Sequence, residues 1–572
     1  MRALIIDFYV DEPACFGVPP YISPYIRYAA GALMKGGLKE NQIYYITIDK
    51  LREKEFELEE GYDLVIIIAG STVPGKYLGG QIGTVAEIYK LLEKLKTSNK
   101  GGTTLIGGPV KYASKEIKEE IYNKGGILIR GDIEKYCELV SSLGITRTKL
   151  KLENNNLRLK RTYQDIDDYS VRGGFITNLH PNFPNLIIEL ETYRGCTRDV
   201  FCSFCTEGFY GKPEFRLTHG ITEEVKELYK NGNLFFRIGR QADLLTYLPD
   251  MNSFQNSFPK PNPKSIENLY LGIRKSAPDL KLLHLDNINP GVIANFPNES
   301  EEVLKILCDY NTEGDTAAMG IESVDEEVIL ANSLKCSEKE ALLAIELVNK
   351  YGQKRINGIP KLLPGLNFIG GLAGESKDTF KKNYLFLKKV LDSGLLLRRI
   401  NIRQVIVYKK TKLSRSTNFI KNKKFNENRF LFYRDKIREE IDKQMLKKTF
   451  PLGSVLRNVI LEKKSEGYFL GRQLGSYPIT IKIPFFKQSY ELFTDRIDVI
   501  VTGFSERSIN ALPYPIPINQ FTDLAFREIP GLGKSLATKA LLNSPYKNSE
   551  DLKNKIPEIY QTILSFTKNI LF

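Results

Sequence analysis

The stretch Glu191-Thr-Tyr-Arg-Gly-Cys196-Thr-Arg-Asp-Val-Phe-Cys202-Ser-Phe-Cys205 is the most informative part of the sequence, because it places three of the seven cysteines within ten positions. It directly continues an apolar, strand-like run that starts at Leu186. Gaps of five and two residues let one loop wrap a compact site, and thiolates bind iron–sulfur clusters or zinc. The other cysteines are scattered, so a disulfide framework is not expected.

The metal type follows from counting ligands. A structural zinc site needs four protein ligands, and the nearest histidines, His180 and His219, lie 16 residues before Cys196 and 14 after Cys205. A closed zinc site would therefore need a distant ligand such as Cys308 or Cys336. Three cysteines on a four-iron cluster instead leave one iron open, and an open iron can bind a substrate or cofactor.

Around this loop the sequence predicts a second series of alternating strands and helices. Helical stretches, the clearest at 325–351 and 377–391, separate the strands. The predicted strands are 186–191, 234–238, 280–285, 316–321, 366–369 and 400–407. Such repeats favour a parallel sheet curled into a partial (β/α)6 barrel, with its chemistry on the loops after the strands.

The flanking segments have different patterns. Residues 1–150 alternate strands (3–8, 43–48, 64–69 and 104–107) with amphipathic helices, which predicts a doubly wound parallel sheet. Glycines at strand ends, such as Gly70 to Gly75 and Gly107 to Pro109, mark the loops where such a sheet binds ligands or simply turns. Residues 453–501 become rich in short strands, which suits a small OB-type barrel, and the last fifty residues are helical.

The expected fold class is therefore a multidomain α/β protein. The predicted domains are 1–150 (doubly wound), 170–420 (partial barrel), 421–450 (helical linker), 451–515 (β-barrel) and 516–572 (helical).

Charge is distributed unevenly along the 572 residues. Lys and Arg number 82 against 68 Asp and Glu, a net charge of +14. Residues 401–572 carry the whole excess, which predicts a polyanionic partner such as nucleic acid or, alternatively, a solvated basic surface. The apolar runs are too short to span a bilayer and no signal-peptide pattern is present, so we expect a cytoplasmic protein without membrane contact.

The cysteine loop resembles that of the radical S-adenosylmethionine (SAM) superfamily, although the commonest first gap there is three residues. The resemblance implies that Cys196, Cys202 and Cys205 hold a [4Fe-4S] cluster whose fourth iron binds SAM. Cleavage of SAM then yields a 5′-deoxyadenosyl radical, with electrons from a donor such as ferredoxin or flavodoxin. Motifs at the ends of later strands resemble SAM-binding elements and imply roles for Gly239, Arg240, Gln241, Glu322, Ser323, Gly371 and Arg403.

Residues 1–150 resemble the cobalamin-binding-type domain that precedes many radical SAM barrels. The resemblance rests on Gly17-Val-Pro-Pro-Tyr-Ile-Ser-Pro-Tyr-Ile-Arg-Tyr-Ala-Ala, Gly107-Gly-Pro109 and Gly131-Asp-Ile-Glu134. Cobalamin is thus a candidate cofactor, but its lower ligand is usually a histidine in Asp-x-His-x-x-Gly, and no histidine precedes His180. Either cobalamin binds without a protein histidine, or the domain keeps only the fold and buttresses the barrel, which is the favoured interpretation.

The C-terminal modules resemble nucleic-acid-binding units. The strand-rich segment resembles the TRAM-type RNA-binding barrel, with Arg472 among its basic loop residues, although its aromatics could equally fill a core. The segment Ile529-Pro-Gly-Leu-Gly-Lys-Ser-Leu-Ala537 resembles a helix-hairpin-helix, in which Gly531, Gly533 and Lys534 would meet a phosphate, or alternatively dock a protein. TRAM-containing methylthiotransferases carry extra N-terminal cysteines for a second cluster, whereas only Cys15 and Cys137 occur here, so methylthiolation is disfavoured.

The leading functional hypothesis is a radical SAM enzyme that modifies tRNA or another structured RNA. One alternative keeps the chemistry, with or without cobalamin, on a protein or small molecule. The other is a nucleic-acid-binding protein whose cluster is structural or senses redox state.

Overall fold

The computed structural model describes residues 1–12, 15–70, 76–98, 101–146, 158–415, 427–487, 496–565 and 567–572. The chain forms two compact units. The first contains residues 1–312, 331–335 and 405–419, and the second contains residues 313–330, 336–404 and 420–572. Residues 421–426 of the predicted helical linker and 71–75 of the predicted ligand loop lie outside the described residues.

The first unit combines two parallel sheets with their connecting helices. In chain order its main elements are β1 (Ala3–Asp7), β2 (Tyr21–Ile22), α1 (Pro24–Lys35), β3 (Ile43–Thr47), α2 (Ile48–Glu53), β4 (Tyr62–Ile68), α3 (Val85–Ser98), β5 (Gly101–Gly107), α4 (Lys115–Asn123), β6 (Gly126–Leu128), α5 (Ile133–Leu143), α6 (Tyr163–Arg172), β7 (Ile187–Glu191), β8 (Tyr193–Arg194), β9 (Glu214–Phe215), α7 (Thr218–Lys230), β10 (Phe235–Arg240), β11 (Asp250–Gln255), β12 (Phe258–Lys260), α8 (Pro263–Ser276), β13 (Leu282–Leu285), α9 (Pro290–Asn295) and α10 (Pro297–Tyr310).

The N-terminal sheet has the order β3-β1-β4-β5-β6, with every pair parallel. Numbered along the chain this is 2-1-3-4-5, one of the two common doubly wound orders. Its central strands are continuous apolar runs, as expected of strands covered on both faces, and Leu64 to Ile68 are all fully buried. The prediction of a doubly wound sheet is confirmed, but the sequence reading missed β6, because a strand of three residues gives almost no periodic signal.

The second sheet of this unit carries the cysteine loop. Its order is β13-β10-β7-β2, again parallel. The edge strand β2 comes from the N-terminal segment, since Tyr21 and Ile22 pair with Ile187 and Ile188 of β7. The N-terminal domain therefore contributes a strand to the sheet that holds the cysteines, which the sequence reading did not foresee.

The remaining elements follow in the chain. They are β14 (Asp315–Glu322), α11 (Glu326–Asn332), α12 (Glu338–Gly352), β15 (Leu362–Gly370), α13 (Thr379–Asp392), β16 (Arg399–Gln404), α14 (Glu427–Ile437), α15 (Lys443–Thr449), β17 (Val455–Ser465), β18 (Tyr468–Arg472), β19 (Thr480–Pro484), β20 (Arg496–Phe504), β21 (Ser508–Pro513), α16 (Asp523–Arg527), α17 (Lys534–Leu542), α18 (Ser549–Lys555) and α19 (Pro557–Leu564).

In the second unit β14, β15 and β16 form parallel neighbours. The single helix predicted over 325–351 is wrong, because the chain breaks between α11 and α12. Ser333 has a positive φ of 51°, and the Ser337 hydroxyl caps α12 by accepting from the Glu340 amide.

The predicted small barrel is confirmed as a closed five-stranded barrel of order β17-β18-β19-β21-β20. All pairs are antiparallel except β19 and β21, which are parallel. The order 1-2-3-5-4 is that of OB-type barrels. The helices α16 to α19 then pack on the apolar side of β20 and β21 through a core that includes Ile500, Leu512, Phe526 and Ile559.

None of the helices in the described ranges is both long and apolar enough to cross a membrane.

Candidate active site

The cysteine loop starts where β7 leaves its sheet. After Glu191 the chain forms the two-residue strand β8, and Gly195 then turns with a positive φ of 96°, which a side chain would strain. This turn presents Cys196, and Cys202 and Cys205 follow on the same loop. Cys202 is buried, and Cys196 and Cys205 are half-buried.

The three thiols lie within electrostatic reach of one another. Burial raises the pKa of Cys196 to about 11, and the neighbouring Cys202 adds to the rise. Burial, Cys202, Glu207 and Cys196 raise the pKa of Cys205 well above its usual range. Thiols that are costly to ionise alone are stabilised as thiolates once a metal binds them.

The cysteine loop is held in place by a hydrogen bond to one of its thiols. Among the described residues no three His, Cys, Asp or Glu side chains converge closely enough to hold one metal ion. The guanidinium of Arg198 donates to Cys202 Sγ at 3.3 Å and to the Ser333 carbonyl at 3.1 Å, which fixes the middle of the loop.

Buried ion pairs hold the root of the loop. Arg194 donates to both carboxylate oxygens of Asp132 at 2.9 and 3.3 Å. Glu191 accepts two bonds from Arg161 at 2.7 and 2.9 Å, and Arg161 with the other nearby arginines lowers the pKa of Glu191 to about 2 against the opposing effect of burial. Removing one partner of such a pair leaves an uncompensated buried charge, so the loop is held in one geometry.

Three predicted SAM-binding residues, Gly239, Arg240 and Gln241, lie at the end of β10 and are already engaged. Arg240 is fully buried and pairs with Glu207 at 3.3 Å. Gln241 accepts from the Thr192 hydroxyl at 3.3 Å and donates to the Ile238 carbonyl at 2.8 Å. A Cβ on Gly239 would overlap the Glu189 carboxylate, so the glycine makes room for that side chain. These contacts favour a supporting role for the three residues.

Asp243 is a candidate that the sequence reading missed. It is 3% exposed, and one carboxylate oxygen accepts from the amides of Leu245 (3.0 Å) and Asn289 (3.1 Å), while the other has no hydrogen-bond partner. Burial raises its pKa to about 7. The Tyr193 hydroxyl bonds the Asp243 backbone, so this carboxylate is tied to the cysteine loop. Its position two residues after Gln241, on a loop without periodicity, gave no sequence signal.

The second unit holds the other predicted SAM-binding residues. Glu322 ends β14 with a positive φ of 65° and is 6% exposed, a strained backbone of the kind found at functional sites. The Ser323 hydroxyl bonds Asn383 at 3.2 Å. The amide of Gly371 donates to Glu375 at 2.7 Å, and Arg403 on β16 is exposed. Their roles in SAM binding stay predictions.

Among the predicted nucleic-acid-binding residues, one is buried and the others are exposed. Arg472 is 6% exposed, and its Nε donates to Glu462 at 2.8 Å, so it stabilises the barrel and a phosphate would have to displace Glu462. Gly531 has a positive φ of 79°, and open space surrounds both Gly531 and Gly533. Lys534 begins α17 and is exposed. This turn is accessible to a ligand, whereas Arg472 is not.

Comparison with known proteins identifies the class. Residues 190–387 match the radical SAM superfamily, so the chain contains a radical SAM domain. Members of that superfamily are enzymes that use a [4Fe-4S] cluster and SAM, as the loop with Cys196, Cys202 and Cys205 predicts.

Full-length relatives occur in archaea. The chain is 42% identical to an uncharacterized protein of Methanocaldococcus jannaschii over 89% of this chain and 92% of that protein. It is 37% identical to an uncharacterized protein of Archaeoglobus fulgidus over 91% and 92% of the two chains.

Two solved structures also match. One is TsrM of Kitasatospora setae, a radical SAM methyltransferase with cobalamin and a [4Fe-4S] cluster bound, at 13% identity, TM-score 0.46, and 72% and 77% coverage. The other is OxsB, a cobalamin-dependent radical SAM enzyme, at 11% identity, TM-score 0.43, and 75% and 56% coverage.

Proposed function

We propose that this radical SAM enzyme modifies a structured RNA, with tRNA as the first candidate. The observation that carries the proposal is the turn Gly531 to Lys534, which is exposed at the start of a nine-residue helix. Unpaired backbone N–H groups at a helix start attract phosphate, and Lys534 adds a positive charge. Such contacts hold a sugar–phosphate backbone without reading its sequence, as an enzyme that recognises RNA shape requires.

The surroundings of the turn support the same partner. The OB-type barrel precedes it, and this architecture commonly binds single-stranded or looped nucleic acid. Glu528 joins the two modules, since it accepts from Tyr468 of β18 at 2.7 Å and from Asn510 of β21 at 3.0 Å. The two modules, residues 451–572, carry 15 Lys and Arg against 11 Asp and Glu, a net charge of +4, and residues 401–450 carry the other +10 of the excess; both excesses suit a polyanionic partner.

For the cofactors, we propose that the three cysteines bind the cluster and that Asp243 helps to bind SAM. The cluster and SAM supply a reactive organic radical when both are bound. The chain supplies the fixed loop geometry and a buried carboxylate oxygen that can accept a hydrogen bond from a cationic ammonium group.

The decisive experiment compares modified nucleosides in tRNA from cells with and without the gene by mass spectrometry. We expect one modification to disappear. The purified, anaerobically reconstituted enzyme should restore it on tRNA from the deletion strain, and an enzyme with Cys202→Ala should not.

A tRNA pool that is unchanged by the deletion, together with intact SAM cleavage in vitro, would move the assignment to a protein or small-molecule substrate. Absence of SAM cleavage by cluster-loaded protein would instead favour a structural or redox-sensing cluster.

A further inference from the structure

The N-terminal sheet has the topology of a ligand-binding domain. In the order 2-1-3-4-5 the strand order reverses between β1 and β4, and ligands of doubly wound sheets bind outside the carboxyl ends of the strands at this point. Cobalamin is the ligand that the resemblance of residues 1–150 implies. The fit can be tested on the residues that occupy this edge.

The chain itself fills the edge beside β1. Phe8, Tyr9 and Val10 follow β1 and are at most 1% exposed. The loop after β4 packs directly on them, because a Cβ on Gly70 would come within 2.9 Å of the Asp11 amide and 3.0 Å of the Tyr9 carbonyl. At this edge the described residues after β1 therefore pack against Gly70 of the same domain and are closed to solvent.

The segment after β1 is also committed elsewhere. It continues to β2, which pairs with β7 of the cysteine-bearing sheet. Phe16 packs edge-on against Tyr21 (5.1 Å between ring centroids) and Tyr77 (5.3 Å). The segment that follows β1 therefore supplies an edge strand to the neighbouring sheet.

The loops after β5 and β6 contact the cysteine loop and the turn that follows it. The ring of Tyr112, after β5, lies 5.3 Å from the ring of Phe209 and 6.3 Å from that of Tyr210. Asp132, after β6, is 7% exposed and binds Arg194, which is separated from Cys196 by one glycine. Lys111 also reaches Asp132 at 3.4 Å.

We infer that the ligand-binding edge of the N-terminal sheet has become a support for the iron–sulfur loop and does not bind cobalamin, and that Asp132 is its main positioning residue. Asp132 acts through Arg194, whose buried guanidinium orients the turn at Gly195 and Cys196. The domain thus sets the environment of the cluster without contributing a ligand to it.

The first test concerns cobalamin. Full-length protein is purified with hydroxocobalamin supplied and then assayed for cobalt and iron. We expect a full complement of iron and cobalt far below one per chain. Stoichiometric cobalt with a corrin absorption spectrum would overturn the inference.

The second test uses Asp132→Asn, which keeps the shape of the side chain and removes its charge. Partners that orient metal ligands typically contribute tenfold to a hundredfold in metal affinity or activity, so SAM cleavage should fall by about tenfold or more. The midpoint potential of the cluster and its electron paramagnetic resonance spectrum with SAM should also change, and Asp132→Glu should restore part of the loss.

The matched control is Asp7→Asn, a buried aspartate at the end of β1 that bonds the Tyr9 amide and the Tyr45 hydroxyl. It should leave iron content, potential and SAM cleavage unchanged. If Asp132→Asn does not fold, Tyr112→Leu decides by the same readouts, because it removes only ring contacts. Cluster properties like those of the control in both loop-facing variants would refute the positioning role.

Discussion

The cysteine loop of the first unit and the Gly531 to Lys534 turn of the second unit differ in how their charged side chains are placed. Around the loop, Arg194, Arg161 and Arg240 are buried, and each pairs with a carboxylate at 2.7 to 3.3 Å. At the turn, Lys534 is exposed. Buried ion pairs hold the surrounding backbone in one geometry, which a catalytic site requires. An exposed charged side chain can instead bind a partner reversibly, and salt screens that interaction.

Single replacement of Cys196, Cys202 or Cys205 by Ala should give the largest effect. We expect loss of the four-iron cluster and of SAM cleavage, because three thiolates are the complete protein ligand set. Iron, sulfide and 5′-deoxyadenosine measurements check this. Cys308→Ala on α10 is the matched control and should retain both properties. Stoichiometric zinc without iron in the wild-type protein would contradict the assignment.

Replacement of Asp243 tests whether a buried carboxylate beside the loop binds SAM. Asp243→Asn keeps an oxygen that can accept from the Leu245 amide but removes the negative charge. The Kd for SAM should therefore rise by about tenfold, which corresponds to about 1.4 kcal/mol of binding free energy. Equilibrium binding to cluster-loaded protein measures it. The exposed Asp250→Asn serves as control, and an unchanged Kd in Asp243→Asn would remove this residue from the site.

Charge reversal at the Gly531 to Lys534 turn tests whether the exposed lysine contributes to tRNA binding. Lys534→Glu should weaken tRNA binding several-fold without changing thermal stability. The difference in affinity between the variant and the wild type should shrink as the salt concentration rises. The reason is that each phosphate contact contributes a slope of about −0.7 to −0.9 in log K against log salt. Filter binding at several salt concentrations measures it. Lys539→Glu, near the other end of α17, has the same charge change and should have less effect.

Arg472→Glu sharpens this prediction, because Arg472 is as basic as Lys534 but buried. It should lower the melting temperature of the protein by breaking the pair with Glu462. Weaker tRNA binding by Arg472→Glu at unchanged stability would show that the arginine contacts RNA after all.

The smallest expected effect is a pH dependence of the free energy of unfolding, which Glu189 on β7 should cause. Burial raises the pKa of Glu189 to about 8, although Arg237 opposes the rise. The folded state then binds the proton more tightly than the unfolded state, whose pKa is near 4.5, so this group lowers the free energy of unfolding as pH rises from 4.5 to 8.

Glu189→Gln should remove that dependence, which is at most about 1.4 kcal/mol per pH unit. Denaturant unfolding of the variant and the wild type between pH 5 and about 9 measures the difference. The exposed Glu119→Gln on α4 should follow the wild type at every pH. Parallel curves for Glu189→Gln and the wild type would mean that Glu189 is ionised throughout.

Features that depend on neighbouring residues could be predicted from the sequence alone. The gaps between Cys196, Cys202 and Cys205 put three thiols on one loop, alternating apolar runs predicted the parallel sheets, and Gly531 and Gly533 predicted the turn before α17. These features follow from local spacing, strand periodicity and the backbone freedom of glycine, all of which are properties of neighbouring residues.

The tertiary structure alone decided which polar residues are available. Arg194 meets Asp132 across 62 positions, and Gln241 is satisfied by Thr192 across 49, so neither engagement leaves a local pattern. Burial turned Arg472 from a basic loop residue into half of an ion pair, and it left one oxygen of Asp243 unpartnered. The physical reason is that desolvation and ion pairing depend on the whole environment of a side chain, which exists only once the chain has folded.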